Sequence, residues 1–493
     1  MSNSKNDKLE FYGGMTMSLI PLLIFVLFCI LFFVVFKVFE MEALAMGGVV
    51  AIIIGSLLSK NWTKYWEAVV KGMSSEMMNM LALILLVVGI FGKLMSRGGV
   101  AQGFVWLGSN MGLQGGGFVV FAFIATCIIS AATGTSIGTL FSAFPIFYPS
   151  GVLLGANPLY LAGAILSGAI FGDNVAPISD TTIASAATQS YTRKEGAADV
   201  GGVVKSRIKY ALVSALISCI LFFVLGGTGS YDAAGKEIMA QYMDPKGLIM
   251  LIPVIILLVV AVKKRDIFIA ITWGIISGIL IGSVSGIIGL GDIISVKDGV
   301  LQGFAIDGVK NMLGTVVYLY GVAGIMGILR ESGMMDHIIK SLLNSKMATS
   351  VVGTELIISF GVMINSICLG AANGPAIIMY GPIADEIGKA KNLHPYRRAN
   401  LMDGVTASLP VIVPFTSAFI FIVVVCVQGL VADYSFIQPI NPMQLAYATF
   451  HSIGLFLVFM YSILTGWGRT YEGTNGEEIP AKAYDSGLSD SSK

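Results

Sequence analysis

The chain has 493 residues, 55% of them hydrophobic and only 12% charged, with a mean hydropathy of +0.83. That balance lies outside the habits of soluble globular domains and places the chain in a lipid bilayer. A formal net charge of +1 gives no footing for a nucleic-acid partner, and five separated cysteines and three scattered histidines argue against disulfides, zinc and haem.

A polar segment, 1–15, precedes an apolar run over 16–37 that is longer than a signal-peptide core, lacks a small-residue cleavage site and reads as a retained helix. Further spans are predicted at 42–59, 77–95, 117–132, 157–171, 206–226, 247–262, 266–289, 312–329, 348–369, 409–431 and 444–465. The fold class is therefore an all-α polytopic membrane protein of about 10–14 helices. Ten-residue alternating strands are missing, which argues against a barrel. Segment 62–72, WTKYWEAVVKG, is amphipathic and is expected to lie along the interface, with its Trp and Lys residues as anchors. Basic residues cluster at Lys5 and Lys8, at Lys60, Lys64 and Lys71, at Lys263 to Arg265, and at Arg397 and Arg398. The positive-inside tendency puts the amino terminus and the 60–71 loop in the cytoplasm. The tail, 467–493, is polar.

Spans 117–132 and 157–171 are short, and each runs directly into small polar residues: AATGTSIGT after the first, GDNVAPISDTT after the second. A helix that stops inside a membrane leaves backbone groups unpaired, which is tolerable only where they line a cavity or hold a ligand. The later half repeats the pattern in VMINSICLGAANGP (362–375) and NLMDGVTASLPVIVP (400–414). MLALILLVVGIFG (80–92) and MLGTVVYLYGVAG (312–324) share Met-Leu and two glycines in register, and Asp173 stands at nearly the same offset from Asp403. These matches favour an internal duplication, divided as 16–232 and 233–466. Two-fold repeats with broken helices are the usual build of secondary transporters, which hold cargo where the breaks face one another.

Asp173 and Asp180 flank Pro177, which makes one continuous helix doubtful. Freed carbonyls, the two carboxylates, Asn174, Ser179, Thr181 and Thr182 make a hard-oxygen shell suited to sodium, so Asp173 and Asp180 are the candidate sodium ligands. A buried carboxylate that loses its cation takes up a proton, which is the chemical core of antiport. Asp403 is the candidate counterpart in the second half. Capping a helix is the structural alternative for Asp180 and for Asp173, and a capping or loop role the alternative for Asp403. Glu355, inside an apolar run with no evident neighbouring base, is a candidate buried acid, with a place at the membrane interface, its head in water, as the alternative. Thr133, Thr135, Ser136, Asn365, Asn373 and Thr406 are candidate substrate-binding residues, with tight helix packing as the alternative for the small ones. No membrane arginine stands out to pair with a dicarboxylate. Dinucleotide, Walker and HExxH patterns are missing, so an enzyme is not expected and no cofactor is called for beyond sodium as the coupling or transported ion.

The string GDNVAPISDTT (172–182), with NGP at 373–375 and MDG at 402–404, resembles the signature of the NhaC-type sodium/proton antiporters within the ion transporter superfamily. The resemblance implies a multi-pass protein of the bacterial inner membrane, with inverted repeats and discontinuous helices, exchanging sodium for protons. It also implies an alternative, because the family includes malate/lactate exchangers and proteins resembling methionine, lysine or tyrosine transporters. Sodium ions, protons, lipid and a small organic substrate are the implied partners, with a homodimer as a candidate assembly.

Overall fold

The computed structural model describes residues 9–36, 41–228, 241–264, 266–297, 299–334, 337, 340, 341 and 346–481. Lys5, Lys8, Arg265, the expected repeat boundary at 232/233 and tail residues 482–493 lie outside them.

The chain is helical nearly throughout. In order, α1 is Ile20–Ile30, α2 Met41–Ser56, α3 Trp62–Met73, α4 Glu76–Arg97, α5 Val100–Asn110, α6 Gly115–Thr133 and α7 Ser136–Leu153. Next come α8 Pro158–Val175, α9 Asp180–Ala187, α10 Val200–Leu225, α11 Leu251–Lys264, α12 Ile267–Val284, α13 Leu290–Ile293 and α14 Phe304–Glu331. The remainder are α15 Val351–Cys368, α16 Asn373–Lys389, α17 Pro395–Thr406, α18 Leu409–Ile412, α19 Ala418–Val431, α20 Pro442–Ala448 and α21 Phe450–Thr465. Two short antiparallel hairpins, at 295–302 and 470–480, are the only named sheets among the described residues.

Seven described helices are long and apolar enough to cross a bilayer, or eight if α20 and α21, bent by 53° at their junction, form one span. Shorter apolar helices such as Ala418–Val431 fill the rest of the bundle. Most predicted spans coincide with helices. Among the helices that hydropathy did not single out are α5, α7, α9, α16 and α17. α7 carries Pro145 and Pro149 and begins in the polar TGTS string, yet it is buried almost all round, as a helix at the centre of a bundle must be. The predicted span 409–431 is broken, with Val413–Ser417 non-helical between α18 and α19.

One expectation is corrected. Arg397 and Arg398 are not a surface basic pair: both lie within α17 with side chains at most 2% exposed, so they carry no signal of orientation. Segment 62–72 does form an amphipathic helix with Trp62 and Trp66 exposed, but its other face packs on α14. There a Cβ on Gly72 would fall 2.2 Å from the Ala323 carbonyl. The same device joins α4 to α14, where a Cβ on Gly89 would meet the Gly308 carbonyl at 2.3 Å. Glycine is needed at such crossings because the backbones themselves touch. The two glycine-bearing strings that suggested a repeat therefore lie on helices packed against each other.

Candidate functional site

Helices stop and restart where the small polar residues predicted it. α6 ends at Gly134, whose φ of 67° is the left-handed conformation that glycine adopts at least cost, and α7 restarts at Ser136, capped by the Thr135 hydroxyl. α8 runs four residues beyond the predicted span, so Asp173 and Asn174 occupy its last turn, and the chain leaves helical geometry over Ala176–Ser179. Pro177, which lacks a backbone N–H, accounts for that interruption. Asp180 is then the first residue of α9. In the later half α15 ends at Cys368, Gly370 and Ala371 take φ values of 69° and 64°, and α16 restarts at Asn373.

These interruptions meet. A cavity of about 250 Å³ is walled by Thr133, Thr135, Ser136, Asp173, Asp180, Thr181 and Asn373, with Met78, Met80, Ile84 and Phe419 as its apolar side. A water needs only about 10–15 Å³ of such space, so the cavity holds far more than one ion. Asp173 Oδ2 accepts a hydrogen bond from Ser136 Oγ at 2.8 Å, while Asp173 Oδ1 has no hydrogen-bond partner among the described residues. The Ser179 hydroxyl, which also faces this carboxylate, is paired with Thr181 at 3.0 Å. Asp180 Oδ1 accepts the N–H of Thr181, and its Oδ2 lies 3.0 Å from where a Cβ on Gly374 would stand, against the first turn of α16. A helix amino terminus favours a negative charge there. Among the described residues no lysine or arginine lines the cavity.

Other candidates belong to different clusters. Asp403, 2% exposed, is ion-paired with Arg207, and it also accepts from Thr182 Oγ1 at 3.1 Å and from Asn174 Nδ2 at 3.5 Å. Arg207 further donates to the Asn174 carbonyl and to Asn400 Oδ1. Asp403, Thr182 and Asn174 are thus a buried brace joining α8, α9, α10 and α17, and they do not line the cavity. Glu355 does have bases beside it, correcting the expectation: Arg397 and Arg469 each reach it at 2.7 Å. Asn365 donates to the Ala376 carbonyl and Thr406 to the Asp403 carbonyl, both away from the cavity wall. Arg207 is the residue that sequence reasoning missed. An arginine two turns into an apolar helix was the available signal, since such a charge must be paired.

Broken helices converging on an acid-lined cavity, inside a bundle with at least seven membrane-length helices, define a secondary transporter. Residues 10–227 match the model of the Na+/H+ antiporter family. Over that part of its length the chain is similar to this antiporter family. It is 28% identical to the malate-2H(+)/Na(+)-lactate antiporter of Bacillus subtilis over 64% of this chain and 69% of that protein. It is 22% identical to the Na(+)/H(+) antiporter NhaC of Alkalihalophilus pseudofirmus over 62% of this chain and 70% of that one. With the arginine/ornithine antiporter ArcD of Halobacterium salinarum it shares 23% identity over 87% of this chain and 88% of the relative.

Proposed function

We propose that the protein exchanges sodium for protons, with Asp173 and Asp180 as the alternating cation and proton site. The observation that carries this reading is the contrast among the buried acids. Asp403 and Glu355 are neutralised by arginines, whereas Asp173 has a free carboxylate oxygen on a cavity wall with no base in its lining. A carboxylate so placed must gain a cation or a proton, and the two compete. Ser136, Ser179 and Thr181, with carbonyls freed at the breaks, complete a hard-oxygen shell for sodium. Residues 16–232 and 233–466 act as two repeats that move against each other about this site, in a bacterial inner membrane with the amino terminus cytoplasmic.

A second reading rests on the cavity volume of about 250 Å³ and on Thr133, Thr135 and Asn373 in its wall. In it, sodium at the aspartates drives an amino acid or small carboxylate, and relatives named for malate, lactate, arginine and ornithine support keeping it.

Proteoliposomes decide between them. An imposed pH gradient drives sodium uptake against its own gradient in the exchanger. Sodium uptake that occurs only with an added amino acid or carboxylate would establish the second reading instead.

A further inference from the structure

A string of spaces leads away from the site cavity towards one face of the protein. On that face lies a vestibule of about 1140 Å³, lined among others by Arg97, Asp292, Asp307 and Lys310. Lys93 of α4 and Asp433, just past the end of α19, form its floor and are joined at 2.5 Å, with Lys93 Nζ also reaching the Gly429 carbonyl at 3.1 Å. Beneath the pair is a void of about 40 Å³ walled by Phe141, Pro145, Asn311 and Cys426. Phe141 separates it from a second void of about 20 Å³, bounded by Leu85, Thr315, Tyr318 and Phe421. Ala418 is shared between this second void and the site cavity.

The site cavity has a further contact, with α12. It reaches Asp266, the amino-terminal cap of α12. The vestibule touches Gly289 and Asp292, just beyond the other end of α12. That helix has 18 residues, so at ~1.5 Å per residue its two ends stand about 27 Å apart. Between the site cavity and the vestibule, then, lie only the two small voids, with Phe141 and the Lys93–Asp433 pair at their boundaries.

We propose that the Lys93–Asp433 ion pair, with Phe141 below it, is the closed gate on the vestibule face of the transport route. The side chains are 11% and 22% exposed, so much of their mutual attraction is offset by lost hydration. A contact of that kind closes specifically yet opens at small net cost. Opening requires α4 and α19 to part, and α19 is tied to the site because the Ala418 N–H donates to the Gly370 carbonyl in the break before α16. Cargo binding at the breaks is therefore mechanically linked to the gate. The gate concerns the route and stands whether the cargo is sodium alone or an organic molecule.

Cys426 is a native reporter behind the gate, and Cys127, buried on α6 and outside the lining of these spaces, is a native control. A small, membrane-impermeant, charged methanethiosulfonate is added to the vestibule side of proteoliposomes, and labelling of each cysteine is followed by mass spectrometry. In the unaltered protein Cys426 reacts slowly at rest and about tenfold faster while an imposed sodium gradient drives turnover. Lys93→Gln or Asp433→Asn raises the resting rate at Cys426 to that level and leaves Cys127 unchanged. Equal labelling of Cys426 at rest and in turnover in the unaltered protein overturns the proposal, whether or not either variant folds. So does a rise at both cysteines in the variants, which reports general loosening.

Discussion

Replacing Asp173 with asparagine tests the site most directly, because it removes the charge and keeps the shape. The amide oxygen can still accept from Ser136, so the 2.8 Å hydrogen bond survives as a neutral one. Charge-assisted bonds exceed neutral ones by about 1 kcal/mol, a loss offset by no longer holding a carboxylate away from water. Folding stability should therefore move by no more than about 1 kcal/mol. Sodium binding should behave differently. A ligand present at about 100 times its Kd stabilises a protein by about 2.7 kcal/mol, and D173N should forfeit that increment. The assay is thermal unfolding of the purified protein with sodium or with an impermeant organic cation at equal ionic strength, paired with pH-driven sodium uptake in proteoliposomes. Unaltered protein should gain stability with sodium, while D173N should melt near the unaltered sodium-free value and carry no sodium. A D173N protein that retains both the sodium-dependent shift and transport would refute the assignment and leave Asp180 as the exchanging acid.

The braced acids should respond in the opposite sense. Asp403→Asn and Glu355→Gln each strand a buried arginine, so each should lower stability by about 3–5 kcal/mol, read as a fall in melting temperature with or without sodium. Gly134→Ala should impair transport more than folding assays alone suggest, because the backbone has φ 67° and a Cβ would fall 2.6 Å from the Ile178 side chain in the facing break. A sodium-affinity measurement on that variant should show weaker binding. His394, which caps α17 beside the 470–480 hairpin, is held below its ordinary pKa of 6.5 by burial. Its neutral form therefore contributes stability that is fully present above pH 6.5 and is lost as pH falls through the depressed value. Melting temperature followed downwards from pH 7 should decline less steeply in His394→Asn than in the unaltered protein.

The breaks were legible because each is written in local chemistry. Gly134 supplies a left-handed turn, Pro177 removes a donor, and the string from Leu369 to Asn373 sits where an apolar run should have continued. Hydropathy also located most long helices, since lipid-facing surface must be apolar wherever it occurs. It passed over α7 and α17 for the converse reason: both are enclosed by protein, so nothing required them to be uniformly apolar. Arg397 and Arg398 were misread on the same account. Adjacent arginines look like a surface pair until Glu355 and Asp385, both distant in sequence, arrive beside them.

Sequence by itself determined that this chain lives in a bilayer, where its helices break, and which polar residues must sit at membrane depth, because hydration, proline and glycine act locally. Only the tertiary structure decided which of those acids are free. Asp173, Asp180 and Asp403 look alike along the chain, but Arg207, 25 residues or more from any of them, turns to one and leaves the other two on the cavity wall. A carboxylate's chemistry inside a membrane depends on what stands within a few ångströms of it, and that neighbour is set by packing.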